Sequence, residues 1–122
     1  MKRNKLDTPT IAAFLEGKSV HTQSLYLHFV NAFGQLAPIT FYPTKTMIGM
    51  RHGTKCLGYI TALGKNFVHV VFHFTKPYPD NLCFIKIAHV PGTPQYNHHF
   101  RMYAADDVTE EVLQFMQRAL DS

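Results

Sequence analysis

The stretch Asn66-Phe67-Val68-His69-Val70-Val71-Phe72-His73-Phe74 separates two kinds of side chain by alternation. In an extended chain Val68, Val70, Phe72 and Phe74 fall on one side and are wholly apolar. Phe67, His69, Val71 and His73 fall on the other. The first set requires a hydrophobic layer to cover it, while the second, with two imidazoles, does not. A strand of this kind belongs to an antiparallel sheet with one covered and one free face.

Four more segments extend the pattern, at 45–52, 55–62, 82–90 and 98–104. His52-Gly53, Gly64-Lys65-Asn66, Pro77 to Asn81 and Pro91 to Asn97 separate them as turns. Short connections between successive strands imply hairpins. Helical signals flank the run. Thr8-Pro9 reads as a helix start, followed by Ile11, Phe14 and Leu15 and a stop at Gly17. Ser19 caps a second helix over 20–33, with Leu25, Tyr26, Phe29, Val30, Ala32 and Phe33 as its apolar stripe. Asp107, with Glu110 three residues on, reads as the cap of a closing helix carrying Val108, Val112, Phe115, Met116 and Ala119. The expected architecture is α+β: a two-layer sandwich of an about five-stranded antiparallel sheet, with N-terminal helices and a C-terminal helix on one face.

Alternation assigns the faces strand by strand. Ile48 and Met50, Cys83, Ile85 and Ile87, and Phe100 and Met102 join the covered side. Lys45, Met47, Arg51, Phe84, Lys86, Ala88, His99, Arg101 and Tyr103 join His69, Val71 and His73 on the free side, and the segment 55–62 is ambiguous, with Tyr59 a candidate for that side. The free face thus gathers Lys45, Arg51, His69, His73, Lys86, His99, Arg101 and Tyr103 as candidate ligand-binding residues, interleaved with Phe67, Val71 and Phe84. It carries cations, imidazoles and aromatic rings and no carboxylate.

Charge distribution points the same way. The 122 residues have a formal net charge of +4, and the sequence pI is about 9.2. Residues 17–79 contain no Asp or Glu, while Asp106, Asp107, Glu110 and Glu111 cluster near the end. A carboxylate-free stretch with Lys18, Lys45, Arg51, Lys55, Lys65 and Lys76 favours an anionic partner. The size suits a single domain over 1–122, with 1–7 a flexible N-terminus. The apolar content of 46% suits a packed core. No secretory or membrane-spanning apolar run is present, so the expected location is the cytoplasm. Cys56 and Cys83, each in an apolar stretch and without CxxC spacing, read as reduced core thiols.

Specific chemistry is harder to build. His69 and His73 stand four residues apart on one strand, about 13 Å between α-carbons, too far for both to reach one metal at about 2.0–2.1 Å. His98 and His99 point to opposite faces. No HExxH, Cys/His knuckle, GxSxG, helix-turn-helix or RNP pattern occurs. No metal or cofactor is therefore expected, nor nucleic acid as a partner. The reading is a non-enzymatic module that binds an anionic small molecule or protein segment on the free face. The alternatives are a small hydrolase or isomerase with a histidine acid/base, and a homodimer that buries the same face.

Phe14-Leu15-Glu16-Gly17-Lys18, Pro43-Thr44-Lys45-Thr46, His98-His99-Phe100-Arg101-Met102 and the acidic cap before the last helix occur in this order. Together they resemble the bacterial family known as domain of unknown function fifty-six fifty-five, over about residues 8–119. The resemblance implies a small α+β domain without an established activity, and it singles out Lys18, Lys45, His99 and Arg101. The layout is more distantly similar to small bacterial frataxin-like iron chaperones. The acid-free stretch departs from the acidic ridge which that likeness would require.

Overall fold

The computed structural model describes residues 10–122. Helices α1 (Ile11–Leu15) and α2 (Val20–Gly34) lead into strands β1 (Thr40–Pro43), β2 (Ile48–His52), β3 (Lys55–Leu63), β4 (Val68–Phe74), β5 (Lys86–His89) and β6 (Tyr96–Met102). A 3-10 turn at Ala105–Asp107 precedes helix α3 (Glu110–Asp121). The strands form one antiparallel sheet of six, ordered β1-β2-β3-β4-β6-β5. The helices cover one face of it, as expected.

The helix starts follow from hydroxyl caps. Ser19 Oγ accepts the Thr22 amide of α2 at 3.0 Å. Thr109 Oγ1 accepts the Val112 amide of α3 at 3.2 Å. The cap of α3 is therefore Thr109 and not Asp107. Asp107 Oδ2 instead accepts the Tyr103 and Ala104 amides at 2.7 and 3.0 Å, which turns the chain out of β6. Helix α1 is capped by Thr10, whose hydroxyl accepts from Ala13; the Thr8-Pro9 start lies outside the described residues. Thr22 also ties α2 to the β3–β4 turn, donating to the carbonyls of Gly64 at 2.7 Å and Lys65 at 3.1 Å.

Between the layers lie Leu25, Phe29 and Phe33 of α2 and Val112, Phe115 and Met116 of α3. They pack on Ile48, Met50, Ile60, Val68, Val70, Phe72, Phe74, Phe100 and Met102 of the sheet. Phe29, Phe33 and Phe72 are completely buried and meet ring to ring at 6.0–6.3 Å. Truncating one such ring to alanine costs about 3–5 kcal/mol.

Two features depart from the expected strands. β1 is a sixth strand, which the prolines at 38 and 43 disguise as loop. The segment 82–90 narrows to β5, because residues 82–85 turn before pairing begins. Phe84 consequently enters the core, edge-on to Phe115 at 4.8 Å and His98 at 4.9 Å. Ile85, expected in the core, is exposed. Lys86 and Ala88 keep their expected free-face positions, because they pair with His99 and Asn97.

β3 is irregular for a physical reason. The β2–β3 register slips between Met50 and Arg51, leaving Leu57 without a ladder partner and buried in the core. Gly58 follows at φ +147°, and a β-carbon there would lie 2.0 Å from the Val71 carbonyl oxygen. Only glycine lets β3 approach β4 this closely. The bulge places Cys56 and Tyr59 on the free face. Cys56 is exposed, so it is not the core thiol that its apolar neighbours suggest. Cys83 is half-buried and packs against the core.

Candidate functional site

The cross-strand register sets one row of the free face: Tyr42, Gly49, Tyr59, Val71, His99 and Lys86, one from each of the six strands. Neighbouring rows bring His69 opposite Arg101 and His73 opposite Asn97. The candidate residues thereby divide into two groups with a lone residue beside them. His69, His99, Arg101 and Lys86 meet on β4, β6 and β5, with Tyr103 just past the end of β6. Arg51 and His73 lie toward β1–β3. Lys45 sits exposed in the β1–β2 connection, outside both groups.

The first group is a directed chain of hydrogen bonds. Arg101 Nε donates to His69 Nδ1 at 3.0 Å, and His69 Nε2 lies 2.9 Å from His99 Nδ1. A guanidinium can only donate, so His69 Nδ1 must accept and its proton must sit on Nε2. That proton is donated to His99 Nδ1, which places the His99 proton on Nε2 as well. The three residues therefore fix one another's tautomers, and the chain ends in a His99 Nε2–H without a hydrogen-bond partner among the described residues. Burial, with Arg101 and His99 beside it, holds the His69 pKa below the ordinary imidazole value. Burial and Lys86 do the same for His99. Both rings are neutral near pH 7.

Aromatic rings brace this end. The Phe67 ring lies over Gly64, where a β-carbon would come within 2.1 Å of it. The Arg101 guanidinium carbon stands 4.0 Å above the same ring, and Tyr103 packs against it at 6.0 Å. Arg101 is therefore held over the Phe67 ring and half-buried, with no carboxylate partner among the described residues. Val71, expected at the surface, is only 5% exposed, and His69 is 8% exposed. The surrounding side chains cover the middle of the face, so what it presents outward is mostly Lys86, His99 and Arg101.

The second group was only partly visible in the sequence. His73 Nδ1 lies 3.7 Å from Cys56 Sγ, and the His73 ring lies 5.6 Å from that of Tyr59. Tyr42 lies across Gly49, where a β-carbon would overlap the ring, and Arg51 stacks on Tyr42 at 5.2 Å. The hydrogen bond that the Tyr59 phenol donates to Tyr42, burial and nearby Cys56 push that phenol up to about 12. Burial holds His73 below the ordinary imidazole value. Tyr42 could not be placed here from the sequence because β1 went unrecognised, and Cys56 because the bulge inverts the alternation of β3.

His98 points the other way from its neighbour, as expected. It is completely buried under the helices. Its Nδ1 donates to the Tyr96 carbonyl at 3.0 Å, and its Nε2 accepts the Tyr78 amide at 3.2 Å. Burial is the main cause holding its pKa below the ordinary value. Both ring nitrogens are satisfied by backbone, so His98 is a neutral core residue and no part of the site.

Among the described residues no group of three or more His, Cys, Asp or Glu is placed to hold a metal ion. No helix among them is long and apolar enough to cross a membrane. A cavity of about 420 Å3 opens elsewhere, beside Phe14, Lys18 and Thr46, and one of about 340 Å3 borders the first group, beside Leu82, Arg101 and Tyr103. Neither is lined by His69 or His99. No family model, curated protein or solved structure matches the chain.

Proposed function

We propose that this chain is a non-catalytic binding module that holds an anionic ligand, a small molecule or an acidic protein segment, on the β4–β6–β5 half of its free sheet face. The Arg101–His69–His99 chain carries the reading, because its hydrogen bonds all run in one direction. Each link accepts from the one before it, so the outer end offers a donor and no acceptor. Lys86 opposite His99 adds a cation, and the remaining guanidinium N–H groups of Arg101 add planar donors suited to carboxylate or phosphate. A neutral hydroxyl ligand would meet donors only; an anion would satisfy all of them. His99 stands half-exposed on the sheet face while His69 is covered by its neighbours, and neither lines the two cavities described above; this favours binding over histidine acid/base catalysis, which needs a cleft that excludes water.

Isothermal titration with inorganic phosphate, a phosphate monoester and a dicarboxylate tests the proposal, with wild type compared against Arg101→Ala and His99→Gln. Hydrogen bonds to a charged group contribute about 1.5–3 kcal/mol, so each variant should weaken the favoured anion by about 10- to 150-fold. Binding should also weaken with added salt. Should wild type take up none of these anions, or both variants bind as tightly as wild type, the proposal fails.

A further inference from the structure

The Cys56–His73 pair lies outside the proposed anion site and has chemistry of its own. Cys56 is exposed, its sulfur lies 3.7 Å from His73 Nδ1, and a cavity of about 390 Å3 opens over both. Lys55, Thr75, Thr93 and Gln95 complete its wall. We propose that Cys56 is a site of reversible S-thiolation by small disulfides, with His73 as the base and acid of the exchange.

The geometry selects this reaction over acyl transfer. An acyl intermediate needs donors aimed at a developing oxyanion. Three of these four polar side chains are engaged elsewhere, which leaves the Thr75 hydroxyl as a single donor: Gln95 Nε2 donates to Asn97 at 2.8 Å, Thr93 Oγ1 to Val90 at 2.8 Å, and Lys55 Nζ to the carbonyls of Leu120 and Ser122. Thiol–disulfide exchange develops no oxyanion and needs only an accessible sulfur, a proton acceptor and room for the incoming group. In the step, Cys56 Sγ–H gives its proton to His73 Nδ1 as the sulfur attacks one sulfur of the disulfide. A new S–S bond forms, the old one breaks, and His73 returns the proton to the departing thiolate. Cys56 is oxidised to a mixed disulfide and the co-reactant is reduced to one free thiol, so electrons and protons balance. A second thiol reverses it.

His73 suits the role because burial keeps it neutral near pH 7, with Nδ1 free to accept. Tyr59 is the other titratable group against it, and its raised phenol stays uncharged in the same range. Cys83 supplies a control within the molecule. Burial and Glu111 push its thiol up to about 12, which leaves almost no thiolate.

The test exposes folded protein to oxidised glutathione at pH 7 and follows intact mass and peptide maps over time. Cys56 should become glutathionylated first, Cys83 should stay free, and dithiothreitol should restore the starting mass. His73→Gln should slow the reaction by about tenfold at pH 7, a modest share of what a positioned base supplies. The deficit should narrow as pH rises and hydroxide takes over removal of the proton. If the variant does not fold, the wild-type pH–rate profile decides: assistance by His73 adds a plateau below the ordinary thiol range, and a bare thiol does not. The proposal is overturned by Cys83 reacting as fast as Cys56, by no modification of Cys56, or by a wild-type profile matching a free thiol.

Discussion

Removing the guanidinium at position 101 should release two histidines at once. Arg101 alone forces the His69 tautomer, and His69 in turn forces that of His99. Arg101→Ala deletes one net hydrogen bond, worth about 1 kcal/mol, and a half-buried cation–π contact worth about 0.5–1 kcal/mol. The expected loss is about 1.5–2 kcal/mol, or roughly 6–8 °C in Tm for a domain of this size. The cation is also one of the causes depressing the His69 pKa, so its removal should raise that pKa. Long-range 1H–15N spectra of the imidazoles resolve each part. In wild type both rings should show the Nε2–H form near pH 7.5. In the alanine variant His69 should populate both tautomers and titrate at higher pH. Arg101→Lys is the informative control, since it keeps the charge but lacks the planar fork that lets Arg101 cover the Phe67 ring and donate from Nε to His69 together. It should keep His69 depressed while freeing the tautomer. A wild-type His69 in the Nδ1–H form, or an unchanged His69 titration in Arg101→Ala, would refute the reasoning.

Two further outcomes test the surrounding structure. His69, His73, His98 and His99 all have folded pKa values below the ordinary imidazole value of about 6.5. The unfolded chain thus takes up protons first, and stability should hold above about pH 7.5 and fall as pH drops through 6.5. His98 alone contributes a slope of up to about 1.4 kcal/mol per pH unit. Urea midpoints at pH 7.5 and 5.5 measure this, and a stability unchanged or higher at pH 5.5 contradicts it. Gly58→Ala combines a left-handed backbone with a β-carbon against the Val71 carbonyl, and should cost about 3–5 kcal/mol. A thermal melt within 2–3 °C of wild type, on the order of 1 kcal/mol, would mean that β3 and β4 do not approach as closely as described.

The covered face was legible because alternation in β4, β6 and β2 is clean. Val68 to Phe74, Phe100 with Met102, and Ile48 with Met50 all pack where a period of two puts them. The opposed orientations of His98 and His99 followed from the same rule. Alternation fails where the backbone leaves the ladder. The turn at 82–85 sends Phe84 inward and Ile85 outward. The bulge at Leu57 and Gly58 turns Cys56 outward, and nothing in the residues around Cys56 signals that turn except the glycine itself. Asp107 matched a capping pattern, but it serves the β6 exit while Thr109 caps α3. Of the eight candidate site residues, His69, His99, Arg101 and Lys86 converge because register pairs them. Tyr103 joins them through the Phe67 ring, Arg51 and His73 fall with a different set of neighbours, and Lys45 with none.

The sheet order has a consequence for how the molecule comes apart. β1 to β4 form a simple meander, whereas β5 precedes β6 in the chain yet lies outside it, on the sheet edge. Its four residues form a single ladder and can detach without disturbing the centre. Amide exchange should therefore release β5 through local opening, well before global unfolding exposes β4. Lys86 rides on that outermost strand, so fraying there would strip one cation from the face while leaving the imidazole pair in place.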